Sequence, residues 1–363
     1  MHPTREPPPV PNRQSTSSSR LAGALFGVAL GDALGLPFEG LGVDAVRSRF
    51  ERADRFRLFG RTGFVSDDTE QSTLLLESLR RGGDDDDACV RAFRRAMVGW
   101  FWRLPFGIGG ATLRACLRLS FGVRPSGVRS AGNGAAMRAG VLGVVLADDP
   151  GRRRRLGKRL AEVTHRDERA VQGALYVAEL AALASRGAAD THDARWELVR
   201  RARNVLAEPS LVAAVESARE LVAREASVSD ASRALGHTGF VVHSLGLCTF
   251  VFLRFGGEPM RALEACIEAG GDTDTHGAIV GCWVGASHGD VWPRALVSRL
   301  HDGPFGPTHL RALVHATAAD EVLPHWSRIA AFARNLALYP VVLAHGFSRL
   351  LLSRAPGPRN RGR

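Results

Sequence analysis

Leu21-Ala22-Gly23-Ala24-Leu25-Phe26-Gly27-Val28-Ala29-Leu30-Gly31-Asp32-Ala33-Leu34-Gly35-Leu36 decides the fold. Leu, Val and Phe fall on every side of this helical stretch, while Gly27, Gly31 and Gly35 recur every four residues. A glycine inside a helix costs roughly 1 kcal/mol against alanine, so a row of them on one face suggests that another backbone packs close by. Residues 276–289 carry a matching row at Gly277, Gly281, Gly285 and Gly289. Two helices are therefore expected to cross through these faces in the centre of the domain, with axes within ~10 Å.

Outward from this pair the chain keeps reading as helix. Residues 69–81 place Leu74, Leu75, Leu76 and Leu79 inward and stop at Gly82-Gly83. Residues 88–102, 135–146, 170–184, 212–221, 240–255 and 260–267 follow with apolar residues at helical spacing, and 310–314 and 329–351 add more beyond Gly289. Alternating strand patterns are almost absent, and the glycines have no strand-then-helix context of a dinucleotide fold. The expected class is all-α, a single globular many-helix bundle.

Two loops carry hard oxygens. Gly270-Gly271-Asp272-Thr273-Asp274-Thr275 sets two carboxylates two residues apart on one side of an extended turn, with Thr275 where a helix should begin. Oxygen donors without a neighbouring cysteine favour Mg²⁺, Mn²⁺ or Ca²⁺ over zinc. One such loop cannot fill an octahedral shell, and Ser66-Asp67-Asp68-Thr69 supplies a second. Asp67 and Asp68 also suit a helix N-terminus, whose dipole favours anions even without a metal. Asp32, inside an apolar helix, needs a partner, either as a capping acceptor or as support behind the metal ligands. The acidic run Asp84–Asp87 follows a helix-stopping glycine pair and reads as a solvated loop and first helical turn.

Composition bounds the rest. The 363 residues, 45% hydrophobic and 23% charged, belong to a soluble globular protein. The net charge of +11 is nearly all arginine, with Lys158 the only lysine. Such a skew reads as genomic composition rather than a nucleic-acid surface, although a positive field would attract an anionic substrate. Nucleic acid is accordingly not the expected partner. Cys89, Cys116, Cys248, Cys266 and Cys282 show neither zinc spacing nor a disulfide framework, which suits buried thiols in a reducing cytoplasm. Residues 1–20 have no signal-peptide core, Gly31-Asp32 interrupts the apolar run 21–30 too early for a span, and no stretch reaches the ~18 uninterrupted apolar residues of a membrane helix.

The two acidic loops, in order with Gly31-Asp32-Ala33-Leu34-Gly35 and Glu39, Ala131-Gly132-Asn133-Gly134-Ala135-Ala136-Met137-Arg138, and Thr164-His165, resemble the motifs of the ADP-ribosylglycohydrolase family over residues 20–290. The resemblance implies hydrolysis of the glycosidic bond between ADP-ribose and a protein side chain or small conjugate, with two divalent cations, Mg or Mn. It implies that Ser66, Asp67, Asp68 and Asp274 hold one ion. Asp272, Asp274 and Thr275, with Glu39, would hold the other, Asp274 bridging. Glu39 or one of the ligand aspartates, Asp68 or Asp274, would take the proton of water. Gly132, Asn133 and Gly134, with Asp67 and Ser130, would cradle the substrate, and His165 would contact ADP-ribose. Ser66 stands where the family usually has Thr and keeps an oxygen ligand.

The expected organisation is a disordered arm over 1–19, a catalytic domain over 20–290, additional C-terminal helices over 291–352 and a basic tail over 353–363. A monomer without membrane attachment is expected. His237, His243 and His288 have no readable partner. Two rival functions are a non-catalytic ADP-ribose binder and, on charge alone, a nucleic-acid binder.

Overall fold

Helix Arg13–Gly35 and helix Thr273–His288 lie antiparallel, glycine face against glycine face. Gly23 meets Gly285, Gly27 meets Gly281, Gly31 meets Gly277 and Gly35 meets Thr273, so one register persists over four turns. A Cβ on Gly27 would overlap the Gly281 carbonyl, and one on Gly277 would lie 2.6 Å from the Gly31 carbonyl oxygen. No side chain but hydrogen fits between these backbones. The pairing expected from the two glycine rows is the centre of the molecule.

The computed structural model describes residues 13–50, 52–57, 62–187 and 189–353. Among them are seventeen α-helices and three short 3₁₀ segments, with no β-sheet, as the sequence indicated. Helices Asp67–Gly82, Ala139–Val145, Glu168–Arg186, Val241–Phe255, Pro259–Glu268 and Pro307–Ala319 pack around the central pair. Trp283 and Trp292 fix its flanks, donating Nε1 to the carbonyls of Val177 (3.0 Å) and Gly23 (2.7 Å).

The antiparallel register has one consequence for the site. It sets the C-terminal end of the first helix beside the N-terminal end of the second, so the loops at these ends meet. Gly40 donates to Gly271 O and Gly271 to Leu41 O, both over 2.7 Å, and Thr273 Oγ1 donates to Gly35 O over 2.8 Å.

The chain departs from expectation at its ends. The first helix starts at Arg13, within the stretch read as a disordered arm, and Ser19 Oγ accepts from Asp290 N over 3.3 Å. Residues 1–12 of that arm and 354–363 of the basic tail lie outside the described residues. Ser17–Phe38 is long enough to cross a membrane and has a mean hydropathy of 1.6, where the sequence reading took Gly31-Asp32 as an early interruption; 94% of its most apolar window is buried inside the protein. That burial is what a core helix requires. Helix Arg328–Ser353 is latched to the domain through Arg334 on Glu70, Asn335 Nδ2 on Arg103 O (2.9 Å) and Tyr339 OH on Pro105 O (3.2 Å). All five cysteines are free and buried.

Candidate functional site

Asp32 emerges from the central helix and is fully buried. Its carboxylate accepts from Ser66 N at 2.8 Å, Thr69 N at 3.2 Å and Thr69 Oγ1 at 2.5 Å. It thus caps helix Asp67–Gly82 from outside, the capping role that was one of its two sequence readings. Ser66, the residue at the N-cap position, makes no side-chain cap of its own. Its hydroxyl lies beside the Asp32 carboxylate without meeting hydrogen-bond geometry and stays buried and unpartnered.

The loops converge at the end of the central pair. Carboxylate oxygens of Asp32, Asp68 and Asp274 lie within 4.8 Å of one another, as do those of Glu39, Asp272 and Asp274, so Asp274 belongs to both groups. Thr275 Oγ1 donates to Asp68 Oδ2 over 3.3 Å and Thr275 N to Asp274 Oδ1 over 2.9 Å. Asp272 is the residue before the helix and Asp274 lies in its first turn, so the two are not on an extended turn as the spacing suggested. Asp67 does not join either group; it lines the cleft above them and accepts from Gln71 Nε2 over 3.2 Å.

Burial, and then repulsion from neighbouring carboxylates, raise the Asp67, Asp68 and Asp274 carboxyls well above the usual range. Burial also raises Asp32, to about 6, against its hydrogen bonds. Asp68 Oδ1 is buried with no partner. A buried acidic cluster with an orphaned oxygen and oxygen-only donors fits a hard divalent cation, which would let these groups ionise together.

Above the clusters opens a cleft of about 510 Å³. Glu39, Asp67, Asp272, Asp274, Thr275, Ser130, Gly132, Asn133, Gly134 and His165 all line it, while Ser66 and Asp68 lie beneath. A cavity of about 570 Å³ lies elsewhere, but it is lined by arginines and has no converging carboxylates.

Asn133, on the cleft lining, has a role that the motif alone does not show. Its N–H donates to Gly239 O over 2.9 Å, and its Nδ2 donates to Asp272 Oδ2 over 2.6 Å and to Ser244 Oγ over 2.9 Å. With both donors engaged, Asn133 positions a carboxylate and has no N–H left for a phosphate.

His165 is placed by a buried guanidinium. Arg138 Nη2 donates to Thr164 Oγ1 over 2.7 Å, and that hydroxyl stands 2.8 Å from His165 Nδ1. Arginine only donates, so the hydroxyl accepts from it and keeps its own proton available for Nδ1. In the tautomer that takes this proton, the ring hydrogen sits on Nε2, the nitrogen beside Gly132 and Gly134. Burial, with the charges of Arg138 and Arg114, lowers the His165 pKa to about 3, so the ring is a neutral donor. Arg138 also donates to Gln71 Oε1 over 2.8 Å, which links it to Asp67.

Two lining segments escaped sequence reading. Gly107-Ile108-Gly109-Gly110-Ala111-Thr112 leads into helix Gly110–Ser120, whose first N–H groups have no acceptor within the helix. A glycine-rich loop opening a helix is an anion-binding arrangement, and this signal was present in the sequence. His237, Thr238 and Gly239 gave no signal, because they reach the cleft by tertiary bonds such as Asp272 N to His237 O at 2.8 Å.

Fold and site together define an all-helical protein with an acidic cleft suited to hard cations. The chain belongs to the ADP-ribosylglycohydrolase family, which matches residues 13–328, and is a hydrolase of that family. It is similar to an uncharacterized protein of Archaeoglobus fulgidus, 30% identical over 293 residues that span 77% of this chain and 91% of the relative. It is also similar to the uncharacterized protein YegU of Escherichia coli, 29% identical over 75% of this chain and 88% of that one. A solved structure described as an ADP-ribosylglycohydrolase-related protein complex superposes with a TM-score of 0.66 at 27% identity, covering 85% of this chain and all of its own.

Proposed function

We propose that the protein hydrolyses the glycosidic bond between ADP-ribose and a protein side chain or small conjugate, using two divalent cations, Mg²⁺ or Mn²⁺. The observation that carries this reading is the convergence of two carboxylate groups, sharing Asp274, at the floor of one cleft. Asp68 and Asp274, with Ser66 and Asp67 alongside, are the residues for one ion. Glu39, Asp272, Asp274 and Thr275 are those for the other. Bound there, such ions would supply positive charge to the oxygens of ribose and water.

The chain's own groups do the rest. Asn133 holds Asp272 in place, and the neutral His165 offers an Nε2–H to a substrate oxygen. The N-terminus of helix Gly110–Ser120 offers backbone N–H groups to the diphosphate, and no arginine or lysine lines the cleft among the described residues. Glu39, at the cleft wall, is the proposed acceptor for the proton of water. Five free, buried thiols support a reducing, cytoplasmic setting.

The test is a panel of ADP-ribosylated peptides and small conjugates incubated with Mg²⁺, Mn²⁺ or chelator, with free ADP-ribose as the readout. Metal-dependent release that is lost in Asp68→Asn and Asp274→Asn, both still helical by circular dichroism, is expected. Release unchanged by chelator or by both substitutions would refute the assignment.

A further inference from the structure

The arginine-lined cavity of about 570 Å³ lies on the far part of helix Asp67–Gly82, away from the carboxylates. Its floor is a row of small residues, Ala88, Ala92, Ala96 and Gly99, on helix Asp86–Phe101. Arg91 and Arg95 rise from the same helix, Arg81 from helix Asp67–Gly82, and Trp326 and Arg328 from the segment that opens the C-terminal helix.

Arg103 closes the inner wall. It is 6% exposed, and its Nε and Nη2 have no hydrogen-bond partner. The guanidinium stands 4.5 Å over Trp326 and 5.6 Å over Phe305. Burial and the nearby Arg328 charge lower its pKa to about 10. Arg328 is itself misplaced for a cation, since it begins a helix whose N-terminal dipole is positive.

Charge here is only partly compensated from within, with Glu77 acting on Arg103 without bonding it. Arg81 pairs with Glu77 and Arg91 with Asp85, but among the described residues no carboxylate pairs with Arg95, Arg103 or Arg328. Glu77, the sole acid of the lining, is already engaged by Trp326 Nε1 at 2.7 Å and Arg81 at 3.2 Å. A buried, unpaired guanidinium is costly unless an anion meets it.

We propose that this cavity is a second binding site, separate from the cleft, for a small phosphomonoester with an apolar or aromatic body. Arg95, Arg103 and Arg328 take the dianionic phosphate, which matches guanidinium forks. Leu74, Leu323, Pro324 and the Trp326 ring take the organic part, in a space within the range of about 300–1,000 Å³ usual for small-molecule pockets.

The test is calorimetric titration of phenyl phosphate into the full chain, in chelator and at fixed ionic strength, with phenol and a tetra-aspartate peptide as comparisons. Saturable one-site binding is expected, weakened at least tenfold in Arg95→Ser/Arg328→Ser and in Arg103→Met, while the serine variant keeps wild-type release of ADP-ribose. The serine pair is exposed, so it carries the test even if Arg103→Met does not fold. No saturable heat, binding undiminished in the serine variant, or tighter binding of phenol or the peptide than of phenyl phosphate would each overturn the proposal.

Discussion

Asn133 Nδ2 donates to Asp272 Oδ2 over 2.6 Å, joining two loops 139 residues apart at the edge of the acidic cleft. A hydrogen bond to a charged group contributes about 1.5–3 kcal/mol, and its loss frees Asp272 to turn away from Glu39 and Asp274. Asn133→Ala is therefore expected to lower kcat/KM for release of ADP-ribose by about 10- to 100-fold. Asn133→Asp, which sets a second carboxylate against Asp272, should lose more. Equal activity in wild type and both variants would deny Asn133 a positioning role.

The central helix pair predicts a contrast between glycines. Gly27→Ala forces a Cβ into the Gly281 backbone, with no flexible side chain to yield. Overpacking of this kind costs about 1–3 kcal/mol or more, so a clear fall in the urea midpoint is expected. Gly99, inside helix Asp86–Phe101, has nothing within 4 Å of a built Cβ. Gly99→Ala should stabilise by about 0.5–1 kcal/mol. The same sign of effect at both sites would refute the close backbone approach.

These glycine rows show how far the sequence reached. Periods of four in two distant stretches were enough to place the core, whereas the antiparallel register that brings Asp32 and Glu39 to Asp274 came only with the structure. The acidic loops were legible because oxygen donors cluster locally. The hold of Asn133 on a carboxylate was not legible because its partners, Asp272, Ser244 and Gly239, are all distant in sequence, and no local pattern reports where a side-chain amide is spent. Arg138 stood within a quoted motif, yet its tie to Thr164 and Gln71 depends on the packing of three elements. Ser17–Phe38 shows the converse limit, since composition alone does not separate a helix buried in protein from one buried in lipid.

His165 gives a pH dependence of definite sign. Its pKa is lowered to about 3 in the folded chain, from an ordinary value of 6.5. Between these values the unfolded chain binds the extra proton, so this group's contribution to stability falls as pH drops below 6.5. From pH 6.5 to 5 the loss is about 1.6 kcal/mol. His165→Gln has no such proton to take up, and chemical denaturation at both pH values should show its stability gap to wild type closing by that amount. A gap independent of pH would mean that the ring is not held neutral.

The cleft carboxylates predict a response to metal. Buried like charges oppose one another at neutral pH, and a ligand that binds only the folded chain stabilises it. Mg²⁺ or Mn²⁺ should raise the wild-type Tm over chelator by several degrees and leave Asp274→Asn nearly unmoved. A shift of equal size in both proteins would place the ion elsewhere.

The central claim is that loops from opposite ends of the domain share cations through Asp274, and a Mn²⁺ titration followed by electron paramagnetic resonance tests it most directly. Two bound ions per chain are expected in the wild type, with Asp68→Asn weakening one and Asp274→Asn weakening both. No bound Mn²⁺ in the wild type, or binding that is the same in all three proteins, would contradict the account.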